Sequence, residues 1–300
     1  MKVLATRRYP GPAFDELQDV EIRAFGELGE GQRPEVEALI VANEPVPLDA
    51  FPNLRLVANF GVGYDRLGVE ELSRRGIAVA NTPGVLSAAT ADLTLALILA
   101  TRRRVVEGDR AVRAGEWHGS WADGLIAEEL TGSTLGIVGL GRIGQEVAKR
   151  ARGFDLRVLY TQRTQAETDL GEYRALDELL MQSDLVTIHA PLTPETRGLI
   201  DANRLALMRD GTCLVNTARG EIVDEPALVA ELVPGRLRAG LDVFAHEPVV
   251  PTELLALPNV VLTPHLGSGT RQTREAMTRI AVDNILALER GEPLVTPVAS

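Results

Sequence analysis

An α/β protein built from two doubly wound parallel sheets follows from three features of the sequence. They are its length, the alternation of short apolar runs with amphipathic stretches, and one glycine motif placed between such a run and such a stretch. The chain has 300 residues, and at roughly 150 residues per domain that is about two domains. Such a length buries a core without help from disulfides or structural metal. Apolar residues make up 45 % and charged residues 24 %, a globular balance that argues against disorder. The net charge is −11, which excludes a nucleic-acid partner, because phosphate binding relies on clustered basic residues. Cys213 is the one cysteine; no intrachain disulfide and no Cys-based metal cluster is expected, and a reducing, cytoplasmic setting suits it. Residues 1–8 do not read as a signal peptide. The longest apolar run, 93–100, is far short of the ~20 residues of a membrane span.

The first third carries strand-like runs at 2–5, 21–25, 38–42, 54–59 and 77–80, with a helical stretch at 69–75 stopped by Gly76. Strands alternating with helices at this spacing predict a parallel sheet covered on both faces. Residues 88–106 form the longest helical pattern of this half and end on Arg102, Arg103 and Arg104. Those cations complement a helix dipole at its C-terminus; alternatively, the helix offers an apolar face to a partner subunit. A second alternation begins at Thr134. Strands at 134–138, 156–160, 185–189, 212–216, 237–243 and 260–263 are interleaved with helices at 142–152, 177–182, 203–208 and 225–232. A last helix spans 271–290 and stops at Gly291, leaving a short tail that contains Pro297.

The second alternation holds Gly139-Leu140-Gly141-Arg142-Ile143-Gly144, a G-x-G-x-x-G between a strand and a helix. That context marks a Rossmann dinucleotide-binding domain, the larger of the two. The first glycine permits the tight turn, and the second admits a pyrophosphate. The third lets helix and strand pack closely, and the helix N-terminus faces the anion. About 20 positions on, an NAD enzyme carries a carboxylate for the adenosine ribose. Here Thr161-Gln162-Arg163-Thr164 offers none before Glu167. Arg163 and Thr164 suit a 2′-phosphate, so NADP is expected, with NADPH preferred and NAD still admissible; the alternative for Arg163 is an exposed loop cation.

Of the four histidines, His118 lies in a polar loop, His189 ends a strand as a packing residue, and His246 stands beside the more interesting Glu247. His265 follows the final strand, and in open α/β sheets ligands bind beyond the carboxyl ends of strands. Arg219 and Glu247 follow two other strands. Together the three suit reduction of a 2-oxo acid. The guanidinium fork binds carboxylate and carbonyl, the imidazolium donates a proton, and the carboxylate holds the imidazole and favours its charged form.

Seven segments, in order, carry a resemblance: 59–65 (NFGVGYD), 81–84 (NTPG), 89–92 (ATAD), 139–144, 216–220 (NTARG), 241–243 (LDV) and 263–268 (TPHLGS). Over essentially its whole length the chain resembles the D-isomer-specific 2-hydroxyacid dehydrogenases, most of all their glyoxylate/hydroxypyruvate reductase branch. The resemblance implies Arg219 as substrate-binding, His265 as acid/base and Glu247 as its partner. It implies that the backbone of Val62 and Gly63 cradles the substrate carboxylate. It places Arg142, Ile143, Pro191, Thr217, Asp242 and Gly267 at the dinucleotide beside Gly139, Gly141 and Gly144, with Asp242 at the nicotinamide amide. It implies a homodimer formed through the 88–106 helix, and a discontinuous substrate domain of residues 1–86 and 271–300 around a dinucleotide domain of 87–270; no metal site is expected. Asp65 is read as a turn-capping carboxylate. Asn59, where phosphoglycerate dehydrogenases of the family look to have a basic residue, disfavours a phosphorylated substrate, as does the lack of a C-terminal regulatory domain. Glyoxylate and hydroxypyruvate are the expected substrates. The competing expectations are an NAD-dependent enzyme for a bulkier 2-hydroxy acid, and a non-catalytic dinucleotide sensor resembling certain corepressors.

Overall fold

A computed structural model describes residues 1–119 and 124–299. It divides the chain into two compact units, Met1–Leu86 with Ser268–Ser300, and Ser87–Gly267.

The first unit is a five-stranded sheet of β1 (Lys2–Ala5), β2 (Val20–Ile22), β3 (Val36–Val41), β4 (Leu56–Asn59) and β5 (Ala78–Ala80), in the order β2-β1-β3-β4-β5. Every pairing is parallel. β3 and β4 are almost wholly buried, the signature of a parallel sheet covered on both faces. Most connections differ from the helices expected. Only α1 (Val69–Arg74) is an α-helix, the others being short 3-10 turns. The second strand also ends early, at Ile22, and Phe25 instead packs in a turn against Phe51. The long helix α8 (Arg271–Arg290) completes the unit, capped by the Thr270 hydroxyl at its start and by left-handed Gly291 at its end.

The second unit starts with α2 (Ser87–Arg102), and here the sequence reading needs correction. The helix does not run on to residue 106. Arg104 adopts a left-handed conformation (φ 53°), and a separate helix, α3 (Val105–Ala114), follows. The arginine cluster therefore does more than complement a helix dipole. Arg102 is buried and pairs with Glu128 at 2.5 Å, while Arg104 holds Glu107 and the carbonyls of Gly124 and Ile126.

The sheet of this unit comprises β6 (Thr134–Val138), β7 (Arg157–Thr161), β8 (Glu172–Tyr173), β9 (Leu185–Ile188), β10 (Cys213–Asn216), β11 (Arg238–Leu241) and β12 (Val260–Leu262). Seven parallel strands run in the order β12-β11-β10-β9-β6-β7-β8, one more than the six expected. The addition, β8, is a two-residue edge strand too short to leave an apolar pattern. Helices α4 (Arg142–Ala151), α5 (Leu176–Gln182), α6 (Ala202–Leu207) and α7 (Glu225–Leu232) make the crossovers, and Asp201 and Asp224 cap α6 and α7 through their side chains. Strand order reverses between β6 and β9, and the crevice beyond such a switch point is where doubly wound folds bind ligands. Among the described residues no helix is long and apolar enough to cross a membrane.

Candidate active site

The glycine turn lies at that switch point. Gly139 N–H donates to Thr161 O and His189 N–H to Val138 O, both at 2.8 Å. Gly139 has φ +99°, and a Cβ there would stand 2.8 Å from the His189 carbonyl carbon. At Gly144 a Cβ would meet the Gly139 oxygen at 2.1 Å, whereas at Gly141 it would meet nothing within 4 Å. Two glycines thus exist for close packing and one faces open space. Gly141 precedes α4 without a side-chain cap, so the first N–H groups of that helix are left for an anion. These residues fit the pyrophosphate of a dinucleotide. Arg142 is exposed at the helix start, and Ile143 packs partly into the core.

Arg163 and Thr164 are exposed on the loop after β7, where Gln162 Nε2 donates to Thr164 O at 2.7 Å. Glu195, on the loop after β9, was not singled out from the sequence. Its carboxyl is held below the usual range by a hydrogen bond from Thr193 and, more weakly, by the charge of Arg163. Pro191 is exposed on the same loop, and its carbonyl accepts from the Thr196 hydroxyl at 2.6 Å. His189 follows β9 and is half-buried. Burial pushes its pKa down to about 3, its Nδ1 has no partner among the described residues, and its Nε2 shares a hydrogen bond with Thr187.

Three strand ends bring Arg219, Glu247 and His265 into one neighbourhood. After β10, Asn216 folds the loop back, donating to Arg219 O (2.8 Å) and accepting from Ala218 N–H (3.0 Å). Gly220 lets this loop lie against the one after β11, since a Cβ there would fall 2.0 Å from the Phe244 carbonyl carbon. Half-buried Arg219 donates from Nη1 to Ala218 O at 2.8 Å. Its charge reaches Glu247, whose two oxygens meet the Phe244 N–H (3.2 Å) and His265 Nδ1 (2.9 Å). Burial disfavours ionisation of Glu247, but His265, Phe244 N–H and Arg219 outweigh it and hold the carboxyl below its usual range.

His265 has φ 54°, a left-handed conformation that a side chain other than glycine's occupies only when its surroundings impose it. Asp242 imposes it. The carboxylate is fully enclosed and accepts from the Thr263 hydroxyl (2.6 Å), Leu266 N–H (2.6 Å) and Gly267 N–H (2.8 Å), while its carbonyl accepts from His265 N–H (2.9 Å). Burial raises its pKa despite those bonds. Asp242, expected at the nicotinamide amide, thus braces the loop that carries His265.

A second brace was not foreseen. On α2, the Thr90 hydroxyl donates to Gly267 O (3.1 Å), and Thr94 bonds both Thr90 O (2.9 Å) and the Thr217 hydroxyl (3.1 Å). The four-residue spacing of these two threonines, which puts them on one face of the helix, was the available signal.

In the first unit, the candidate binding feature is a loop rather than a set of side chains. Carbonyls of Gly61 and Gly63 accept from Asn59 Nδ2 (3.1 and 2.8 Å), that of Gly61 also from Thr82 N–H (3.0 Å), and that of Val62 from Asn81 Nδ2 (3.0 Å). With the carbonyls engaged, the N–H groups of Val62, Gly63 and Tyr64 donate to nothing among the described residues. A run of such N–H groups is an anion site. Asn59 is fully enclosed and shapes this loop. Asp65 accepts from Asn43 Nδ2 at 3.3 Å.

Residues 95–267 match the sequence profile of the D-isomer specific 2-hydroxyacid dehydrogenase, NAD binding domain. The chain belongs to this family. The glyoxylate reductase of Pyrococcus furiosus is 47 % identical over 97 % of this chain and 93 % of its own length. Among solved structures, the TT0316 protein from Thermus thermophilus is 44 % identical, with a TM-score of 0.91 and full coverage of both chains. The NADPH-dependent glyoxylate/hydroxypyruvate reductase from Sinorhizobium meliloti, in complex with NADP and malonate, is 35 % identical, with a TM-score of 0.89 over 99 % of this chain and 96 % of that one. This 2-hydroxyacid dehydrogenase is accordingly an NAD(P)-dependent oxidoreductase with two parallel-sheet α/β domains.

Proposed function

We propose that the chain reduces glyoxylate and hydroxypyruvate to glycolate and D-glycerate with NADPH. The observation that carries this reading is the Glu247–His265 pair at 2.9 Å with Arg219 beside it. A bound reduced nicotinamide would supply hydride for the carbonyl carbon of the substrate. Arg219 binds the carboxylate and carbonyl of the substrate through its guanidinium fork. His265 holds Nδ1 against Glu247, which leaves Nε2–H to protonate the oxygen as negative charge develops there. Glu247 stays ionised and stabilises the imidazolium. In the first unit, Val62 and Gly63 offer backbone N–H groups to the substrate carboxylate. Gly139, Gly141, Arg142, Ile143 and Gly144 hold the pyrophosphate; Pro191, Thr217, Asp242 and Gly267 border the rest of the dinucleotide. Arg163 and Thr164 take the 2′-phosphate.

Loss of NADPH absorbance with each acid tests the reading, with NADH as the comparison. Rapid oxidation of NADPH over NADH is expected, and Arg163→Ala should raise KM for NADPH about tenfold while leaving KM for NADH unchanged. Activity with NADH alone would overturn the 2′-phosphate assignment, and NADPH binding without turnover of either acid would overturn the substrate.

A homodimer is part of the same reading, with its surface on α3 rather than on the 88–106 helix expected from the sequence, because most residues of α2 are buried. Val105 and Val112 are exposed seven residues apart on α3, and Trp117 and Ile126 are exposed nearby in the chain. A stripe of this kind on a surface helix fits a second copy of the chain. Light scattering should return twice 32.4 kDa, and Val112→Glu should halve it. The cytoplasm is the compartment we assign, where buried Cys213, its thiol pushed up to about 12, stays reduced.

A further inference from the structure

The tail after α8 does not hang free of the sheet. Pro297 bridges Ala80 in antiparallel fashion, and Val298 N–H donates to Val79 O at 2.8 Å. Thr296 grips the residue beyond the strand: its carbonyl accepts from Asn81 N–H (3.3 Å) and its hydroxyl donates to Asn81 O (2.6 Å). Thr296 is in turn fixed by Asn284 on α8, whose carboxamide accepts from Thr296 N–H (3.1 Å) and donates to the Thr296 hydroxyl (2.9 Å). Asn284 is fully enclosed, so this anchor belongs to the core.

Asn81 connects the tail to the anion loop, because its Nδ2 is the donor to Val62 O. The Val62 carbonyl points at Asn81, and the next peptide N–H, that of Gly63, points the opposite way because the peptide unit is planar and trans. We propose that Thr296, acting through Asn81, is a positioning residue that orients the Val62–Gly63 peptide and so sets affinity for the substrate's carboxylate. The inference rests on the assignment of that loop to the substrate in the preceding section. Neither Thr296 nor Asn81 touches substrate; each acts through the peptide it holds.

The experiment pairs Thr296→Val, which keeps shape and removes the hydroxyl, with Thr296→Ser, which restores it, and with Asn81→Ala. Two measurements are made on each: steady-state kinetics with glyoxylate and NADPH, and amide exchange of peptides covering residues 60–66. Thr296→Val removes the hydroxyl's bonds to both Asn81 O and Asn284 Nδ2; the loss of the one that reaches Asn81 should raise KM for glyoxylate about fivefold. Asn81→Ala should raise it more. Thr296→Ser should restore it, with KM for NADPH unchanged throughout. Exchange at 60–66 should quicken in the first two variants and return to wild type in the third. Faster exchange without a rise in KM would overturn the positioning role, and unchanged exchange would overturn the connection itself. If wild-type protein reduced no 2-oxo acid, the assigned substrate would fail, and the exchange arm would still decide whether Thr296 orders the loop.

Discussion

The two units place their candidate chemistry at the carboxyl ends of parallel strands, yet they present it differently. The second unit presents side chains: Arg219, Glu247 and His265 project from loops held by Asn216, Gly220 and Asp242. The first unit presents backbone, with side chains used only to turn peptides, as Asn59 and Asn81 do for Gly61, Val62 and Gly63. Side-chain groups can move a proton or fork around a carboxylate, whereas peptide N–H groups can only bind. On the proposed reading, reaction belongs to the second unit and the first supplies selectivity for an anion. Substitutions in the two should therefore separate kcat from KM.

The largest effects test the side chains. His265→Ala removes the proton donor, and reduction of glyoxylate should fall about 10²–10⁴-fold in kcat with NADPH binding intact by fluorescence titration. Arg219→Ala should lower kcat/KM by a similar factor, mostly through kcat. An effect confined to KM would move Arg219 into the same class as the backbone loop and erase the contrast. In Gly144→Ala the added methyl collides with the Gly139 carbonyl, so NADPH binding itself should be lost, which neither catalytic variant should show.

A smaller and more diagnostic effect concerns pH. The Glu247 carboxyl lies below its usual range in the folded state. Linkage fixes the sign: this ionised carboxylate adds stability above the ordinary glutamate value of about 4.3, and that contribution is lost as pH falls through the lowered folded value. Glu247→Gln has no such group, so its melting temperature should decline less than that of wild type across this acid window. In kinetics, Glu247→Gln removes the carboxylate that holds His265 Nδ1 at 2.9 Å, so kcat for glyoxylate should fall while KM for NADPH is unchanged. An unchanged kcat would show that Glu247 does not hold the ring in its working position.

The same contrast explains what could be read without a structure. Strand and helix positions in the second unit were legible because apolar runs alternate with helical stretches, and the glycine motif announced its own geometry. Arg219, Glu247 and His265 were legible because few other residue types do such chemistry. The break at Arg104 was not, since a left-handed arginine leaves no pattern and depends on carbonyls at Gly124 and Ile126 twenty residues on. β8 was too short to register. Asn59 was read for the basic residue it replaces, and its burial adds a role as a brace that residue type alone does not reveal. Roles that depend on which peptide a buried amide reaches are set by tertiary contacts far apart in sequence, as with Thr296 and Asn81.

The smallest predicted effect lies where the second unit also relies on bracing. Thr94 is fully enclosed and bonds the Thr217 hydroxyl, while Thr90, one helical turn earlier, donates to Gly267 O. One face of α2 thus steadies both the loop that leads to Arg219 and the loop that follows His265. Thr94→Val preserves volume closely but leaves the Thr217 hydroxyl without that partner, which at about 1 kcal/mol for a net hydrogen bond amounts to about fivefold. If that bond fixes the geometry of the Arg219 loop, the loss should fall on kcat for glyoxylate and spare its KM, the reverse of the split expected for Thr296→Val. Both variants replace a hydroxyl by a methyl at a buried or half-buried brace, so their cost in thermal stability should be alike. Different kinetic signatures from equal structural losses would show that each brace serves the group it holds. Matching signatures would reduce both to general packing.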